Sequence, residues 1–270
     1  MLKIENTEVL GWEHAIRGMR NPMNSWEKSD SGYGCHLTKG RDQIDWTRHE
    51  EGEECRCTNC DWCSPLCEDD FDSEYSKHVR EFIIGPNDLN LMTRLRNAGT
   101  DHRKFMRMIV VYVDLTAPLY WWKEFDTYKV GTVANSCSTM HKIAEKEFTL
   151  EDFSHEHLAE CDGEWVDILT VDPYSFPAME STDILKTVVE GLNRFRSRYI
   201  ETKDKKYWWQ MIQLLPSSYN QRRTVMLSYE VLANIYKSRR NHKLDEWHIF
   251  CDWIEGLPYS ELITGGTTDE

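Results

Sequence analysis

The chain has 270 residues, with 32 Lys and Arg against 46 Asp and Glu, a formal charge of −14, and 40% hydrophobic and 29% charged residues. This composition lies outside the class that stays disordered. The acidic balance excludes non-specific binding to duplex nucleic acid, whose phosphates it would repel, but not a small anion held by a few local arginines. No apolar run reaches the roughly 18 residues of a membrane span. The N-terminus MLKIENTEVLGWEH has no signal-type apolar stretch, so a cytoplasmic protein without a membrane partner is expected.

Residues 1–34 mix polar and aromatic side chains, including the run Arg17-Gly18-Met19-Arg20-Asn21-Pro22, and no element is predicted there. Residues 35–80 read as an acidic, Cys-rich insertion within a single domain spanning 1–270. Between 41 and 75 there are twelve acids and three bases, with few aliphatic residues to form a core. Five of the nine cysteines fall here: Cys55, Cys57, Cys60, Cys63 and Cys67. A disulfide framework is not expected in a reducing compartment. The spacing Cys57-x2-Cys60-x2-Cys63-x3-Cys67 is that of a bacterial iron–sulfur run, but Glu68 stands where a proline normally follows, and there is no second run. Zinc fits better, held by four of these thiolates or by three with Cys35, His36 or His49. Such a closed site would be structural, and zinc can contribute about 10–16 kcal/mol to a small peptide that has little apolar surface to bury.

The globular pattern is expected to start near Ile84. Pro86-Asn87-Asp88 opens a helix with Leu89, Leu91, Met92 and Leu95 on one face, and Gly99 ends it. Met108–Leu115 has strand character, Ala117-Pro118 breaks it, and Leu119–Lys129 is a helix-compatible aromatic run. Trp121 and Trp122 are expected in the core. Cys137 has no basic partner readable from the sequence and is expected to be packed. Residues 149–182 are acidic and irregular; His155-Glu156-His157 with Cys161 is expected to be solvated rather than metal-bound.

Helices are predicted over Asp183–Tyr199, through Trp208-Trp209-Gln210-Met211, over Tyr219–Ser238 after the break at Leu215-Pro216, and over Leu244–Ile254. The tail from Gly265 is expected to be loose. The fold class is α+β with a helix-rich C-terminal half. No P-loop, Gly-rich nucleotide fingerprint or hydrolase nucleophile elbow is present.

Three segments in order resemble the flavin-dependent thymidylate synthase family. Asp88–Arg107 (DLNLMTRLRNAGTDHRKFMR) is similar to that family's helix, glycine, histidine and Pro-Phe-Glu-His stretch, with His102 and Phe105 matching in type and Arg107 near its last histidine. Val113–Ser138 carries the family's Ala-Pro at Ala117-Pro118. Lys123-Glu124 there replaces Arg-Gln, Thr127-Tyr128-Lys129 replaces Arg-His-Arg, and Asn135 and Ser138 stand near the family's Asn/Glu and Ser. In Leu215–Arg239, the Leu-Pro, Arg222, Asn234 and Arg239 fall on the family's spacings without gaps.

The resemblance implies a helix-rich domain with a central antiparallel sheet, a homotetramer with shared flavin sites, and methylation of dUMP by a folate carbon and reduced FAD. It assigns Arg222, Arg239, Arg223, Ser138 and Lys129 to the nucleotide, with His242 as a further candidate. Asn234, His102, Arg107, Tyr128 and Lys123 are assigned to the flavin. A guanidinium suits a phosphate because its charge is permanent and its planar fork is bidentate. Loss of Arg-His-Arg removes two such charges, and Glu124 adds a negative one. Three functions follow: a FAD-dependent transferase acting on a pyrimidine nucleotide, a non-catalytic nucleotide-binding protein, or a structural protein whose acidic insertion meets a partner.

Overall fold

A computed structural model describes residues 2–36, 79–158 and 181–265. The cysteine run Cys55–Cys67, Cys161 and the residues beyond Gly265 lie outside these. In chain order the elements are β1 (Lys3–Leu10), α1 (Trp12–Arg20), β2 (Gly32–His36), β3 (Val79–Ile83), α2 (Pro86–Asn97), β4 (Val110–Pro118), α3 (Leu119–Phe125), β5 (Thr132–Ser136) and α4 (Thr139–Lys142). They continue with α5 (Ser181–Thr202), α6 (Lys205–Leu214), β6 (Asn220–Ser228), α7 (Tyr229–Arg239), α8 (Asp245–Glu255) and α9 (Glu261–Thr264). The class is α+β. No helix among the described residues is long and apolar enough to cross a membrane. The chain divides into two compact units, residues 10–110 with 265–270, and residues 1–9 with 111–264.

In the smaller unit, β2 and β3 pair antiparallel, with Gly32 opposite Ile83. Helix α1 buries Trp12, Ala15, Ile16 and Met19, which lie three and four residues apart on one face. The chain enters α1 through Gly11, at φ +96°, where a Cβ would lie 2.1 Å from the carbonyl oxygen of Met108, so only glycine fits. Helix α2 begins at Pro86, and Asp30 caps it from outside, its carboxylate accepting from the backbone N–H of Asn87 (2.8 Å) and Asp88 (3.0 Å). The glycine expected to end it, Gly99, sits at φ +105°.

In the larger unit the four-stranded antiparallel sheet has the order β1-β4-β6-β5. Alternation sorts the inner strands: Val111, Val113 and Leu115 of β4 and Val225 and Leu227 of β6 are buried, while Tyr112 is exposed. Trp121, Trp122 and Phe125 of α3 join Trp247 and Phe250 of α8 in one aromatic cluster, with the Trp121 and Trp247 centroids 4.8 Å apart. The two adjacent tryptophans are therefore core residues, as expected. A second cluster joins Ile143, Phe148 and Phe153 to Leu185, Val189 and Leu192 of α5 and Met211 of α6.

Two sequence expectations fail. Ordered structure begins at the N-terminus rather than near Ile84: β1 is an edge strand of the main sheet and α1 follows it. The long helix predicted over Tyr219–Ser238 is a strand followed by a helix, divided at Ser228, whose hydroxyl caps α7 by accepting from the N–H of Val231.

Candidate functional site

This division decides where the arginines point. Arg222 and Arg223 are neighbours on a strand, so their side chains leave opposite faces of the sheet.

Arg222 lies on the open face with Thr224. Asp114 of β4 accepts from Arg222 Nη2 (2.8 Å), Thr224 Oγ1 (2.5 Å) and, across on β1, Asn6 Nδ2 (2.8 Å). Glu5 adds a second carboxylate 3.4 Å from Arg222 Nη1. The hydrogen bonds from Thr224, Asn6 and Arg222 hold the Asp114 carboxyl well below the usual aspartate range, and Asp114 in turn raises the Arg222 guanidinium.

Arg223 points to the helix-covered face. Its guanidinium lies 4.1 Å from the Trp122 ring centre, donates from Nη1 to Asp126 (2.8 Å) and from Nε to Gln221 Oε1 (3.0 Å). Gln221 fixes the next segment by donating to the carbonyl of Cys137 (2.9 Å) and to Thr139 Oγ1 (3.0 Å). Ser138, expected at the nucleotide, caps α4 by accepting from the N–H of His141. Cys137 is exposed, which corrects the expectation that it packs; it lies just past β5, an edge strand with almost no burial.

Arg239, at the end of α7, meets the other resemblance segment. Its Nε donates to Tyr128 Oη (2.8 Å) and its Nη1 to Glu124 Oε2 (2.6 Å), while the guanidinium stacks 4.8 Å from the Trp247 ring centre. The same Glu124 oxygen accepts from Trp247 Nε1 (3.0 Å) and lies 3.3 Å from His242 Nε2. His242 Nδ1 accepts from the backbone N–H of Leu244 (3.2 Å), so a neutral His242 carries its proton on Nε2, facing Glu124. Its partner is thus a carboxylate of this chain.

Tyr128 and Lys129 line a small cavity of about 110 Å³ with Phe125, Asp126, Thr132 and Ala134. Thr132 Oγ1 is buried and has no hydrogen-bond partner among the described residues. Lys123, Lys129 and Asn234 are exposed. His102 and Arg107 are exposed in the smaller unit, at the two ends of the 3-10 turn Arg103–Arg107. His157 faces Asp245 at 3.3 Å, and no group of metal ligands occurs among the described residues.

The structure therefore brings Arg239 to Tyr128, which shares its cavity with Lys129, sets Arg223 on the helix-covered face of the same unit with Ser138 capping α4, and turns Arg222 to the opposite face. Asp126, Gln221 and Trp247 are partners that sequence reasoning missed. All are distant in sequence from the arginines they hold or sit in unremarkable local contexts, so no spacing marks them.

No protein-family model matches the sequence, and no curated protein matches it. Two crystal structures of the flavin-dependent thymidylate synthase ThyX from Helicobacter pylori, both with FAD and dUMP, are similar in fold. Each gives a TM-score of 0.56, at 13% and 12% identity, covering 97% and 98% of this chain and 98% of theirs in both cases. Identity this low speaks to architecture alone, and in architecture the chain is ThyX-like over nearly its whole length.

Proposed function

We propose that the chain is a nucleotide-binding protein of the ThyX fold that takes a pyrimidine mononucleotide, as its structural neighbours take dUMP. The observation that carries this reading is the meeting of two separate resemblance segments at one guanidinium. Arg239 is held by Tyr128 and Glu124, is only 18% exposed, and among the described residues has no hydrogen bond from Nη2. A guanidinium fixed in this way presents a donor without having to be ordered by the ligand. Tyr128 offers a ring face beside it for a base, and Lys129 and Ser138 supply further polar contacts. Arg222 on the open sheet face would meet the nucleotide of a second copy, in keeping with a homotetramer that shares its sites.

The test is calorimetric titration with dUMP. Arg239→Ala and Arg222→Ala should each weaken binding at least tenfold, since a hydrogen bond to a charged group is worth about 1.5–3 kcal/mol. Absence of binding by the native chain would remove the reading.

The competing reading is a FAD-dependent transferase that modifies the pyrimidine. It draws on the FAD found with dUMP in both neighbours, and it requires a yellow protein with flavin absorbance. We further propose that Cys55, Cys57, Cys60, Cys63 and Cys67 hold a structural zinc. Native mass spectrometry should show one zinc per chain, lost on double Cys→Ser substitution at Cys57 and Cys60.

A further inference from the structure

The larger unit holds a second cleft, of about 470 Å³, where the end of α7 meets α8. Tyr236 of α7 lines it, with Arg240 just past that helix and Cys251, Asp252 and Glu255 from one face of α8. His242 and His248 line it as well, but their ring nitrogens face Glu124 and Asp245. The charges left to the cleft are one guanidinium and two carboxylates.

These charges are placed at some local cost. Asp252 and Glu255 stand three residues apart in the last turn of α8, which carries no basic residue. Like charges at this spacing repel, and the helix C-terminus adds its own partial negative charge. Among the described residues neither carboxylate has a cation within ion-pair distance; Glu255 accepts only from the Tyr236 hydroxyl. Arg240 likewise has no carboxylate within ion-pair distance among the described residues; its guanidinium lies 5.3 Å from the Tyr236 ring centre, with its fork unspent. All three charges nevertheless converge on one point, the buried Cys251 thiol. Burial first, then Asp252 and Glu255, push that thiol up to about 11, while Arg240 acts against them. An exposed pairing between Arg240 and either acid would be worth little, so a ligand that brings its own charges has little to displace.

We propose that this cleft binds a basic α-amino acid, its carboxylate on the Arg240 fork and its two cationic groups on Asp252 and Glu255. A planar carboxylate matches the guanidinium with two parallel hydrogen bonds. A simple diamine would leave Arg240 facing a like charge, and an anion such as a phosphate would face both acids. A neutral amino acid would leave one acid unbalanced. The ligand class is thus set by the count of charges and lies outside the nucleotide reading. Neither Arg239 nor Tyr128 lines this cleft, so either result below leaves the dUMP titration to stand on its own.

The experiment is calorimetric titration of the full chain with L-lysine and L-arginine. Cadaverine, L-norleucine and Nα-acetyl-L-lysine serve as analogues lacking the carboxylate, the side-chain amine and the free α-amine in turn. At least one of the two amino acids should bind, and every analogue should bind at least tenfold more weakly. Arg240→Gln, Asp252→Asn and Glu255→Gln should each weaken the amino acid at least tenfold while keeping the native thermal transition. All three positions are exposed, and glutamine at 255 keeps an acceptor for Tyr236. If one variant fails to fold, the other two and the analogues still decide the matter. No binding of either amino acid at millimolar concentration overturns the proposal. So does an analogue that binds as tightly as the amino acid, or an affinity unchanged in the folded variants.

Discussion

At the scale of single residues, one heavily supported polar group lies in the smaller unit. Asp88, fully buried at the start of α2, accepts at Oδ1 from Arg20 Nε (2.6 Å) and at Oδ2 from the hydroxyls of Ser29 and Ser31 (2.6 Å each) and the N–H of Asp30 (3.2 Å). Arg20, also buried, uses its remaining nitrogens on the carbonyls of Ser25 and Lys28. The pair thus ties the irregular stretch after α1 to α2. Burial alone would raise the Asp88 carboxyl, but Ser29, Ser31 and Arg20 outweigh it and the carboxyl is lowered. Removing one partner leaves a buried charge unpaired, so Asp88→Asn should cost about 3–5 kcal/mol, read from the urea midpoint. Because the folded group titrates below the unfolded one, its stabilisation is complete above about pH 4 and is lost as the pH falls through the lower folded value. The variant should therefore show a flatter acid limb; an unchanged limb would assign the acid sensitivity elsewhere. Arg20 was visible in the sequence only as part of an unexplained run, because its partner lies 68 residues away. For Arg239 and Glu124, 115 residues apart, the resemblance suggests a nucleotide contact and an added negative charge, but no spacing in the sequence suggests that the two pair.

At the scale of elements, periodicity alone misassigns Asn220–Ser228. Gln221, Val225 and Ser228 lie at helical spacing, while Gln221, Val225 and Leu227 alternate as a strand requires, and the adjoining helix α7 lends its own periodicity to the strand. The local sign of the boundary was Ser228, a capping residue just before a helix-forming run. Ser228→Ala should cost about 1 kcal/mol in thermal or chemical unfolding. By contrast α1 carries its helical spacing at Trp12, Ala15, Ile16 and Met19, but the flanking polar residues mask it. Helix α5, read as Asp183–Tyr199 and found as Ser181–Thr202, had the clearest stripe. It carries Gly191 in its interior, where an added Cβ would meet nothing within 4 Å. Gly191→Ala should stabilise the chain by about 0.5–1 kcal/mol, since alanine loses less backbone freedom on folding. A destabilised variant would mean that something outside the single chain covers this position.

At the scale of the whole molecule, the sheet order sets a hierarchy of protection that depends on assembly. Among the described residues β4 and β6 are inner strands, whereas β5 pairs only with β6 and has no partner on its other edge; Val133 on it is 60% exposed, and Val130 just before it is 93% exposed. An open edge with apolar residues is a liability in an isolated chain, because its free N–H and C=O groups recruit other strands. The homotetramer proposed from the resemblance would cover such a surface. Hydrogen exchange separates the two situations. Amides of β4 and β6 exchange through the more global openings, so they should be slowest and insensitive to protein concentration. Amides on the open edge of β5 should exchange quickly in dilute protein and slow at least tenfold at concentrations where sedimentation shows the assembly complete. Concentration-independent fast exchange at β5, together with a monomer in the centrifuge, would rule out a shared site. The mononucleotide would then have to bind within one chain, on the side of the sheet that holds Arg223 and Arg239, with Arg222 taking no part.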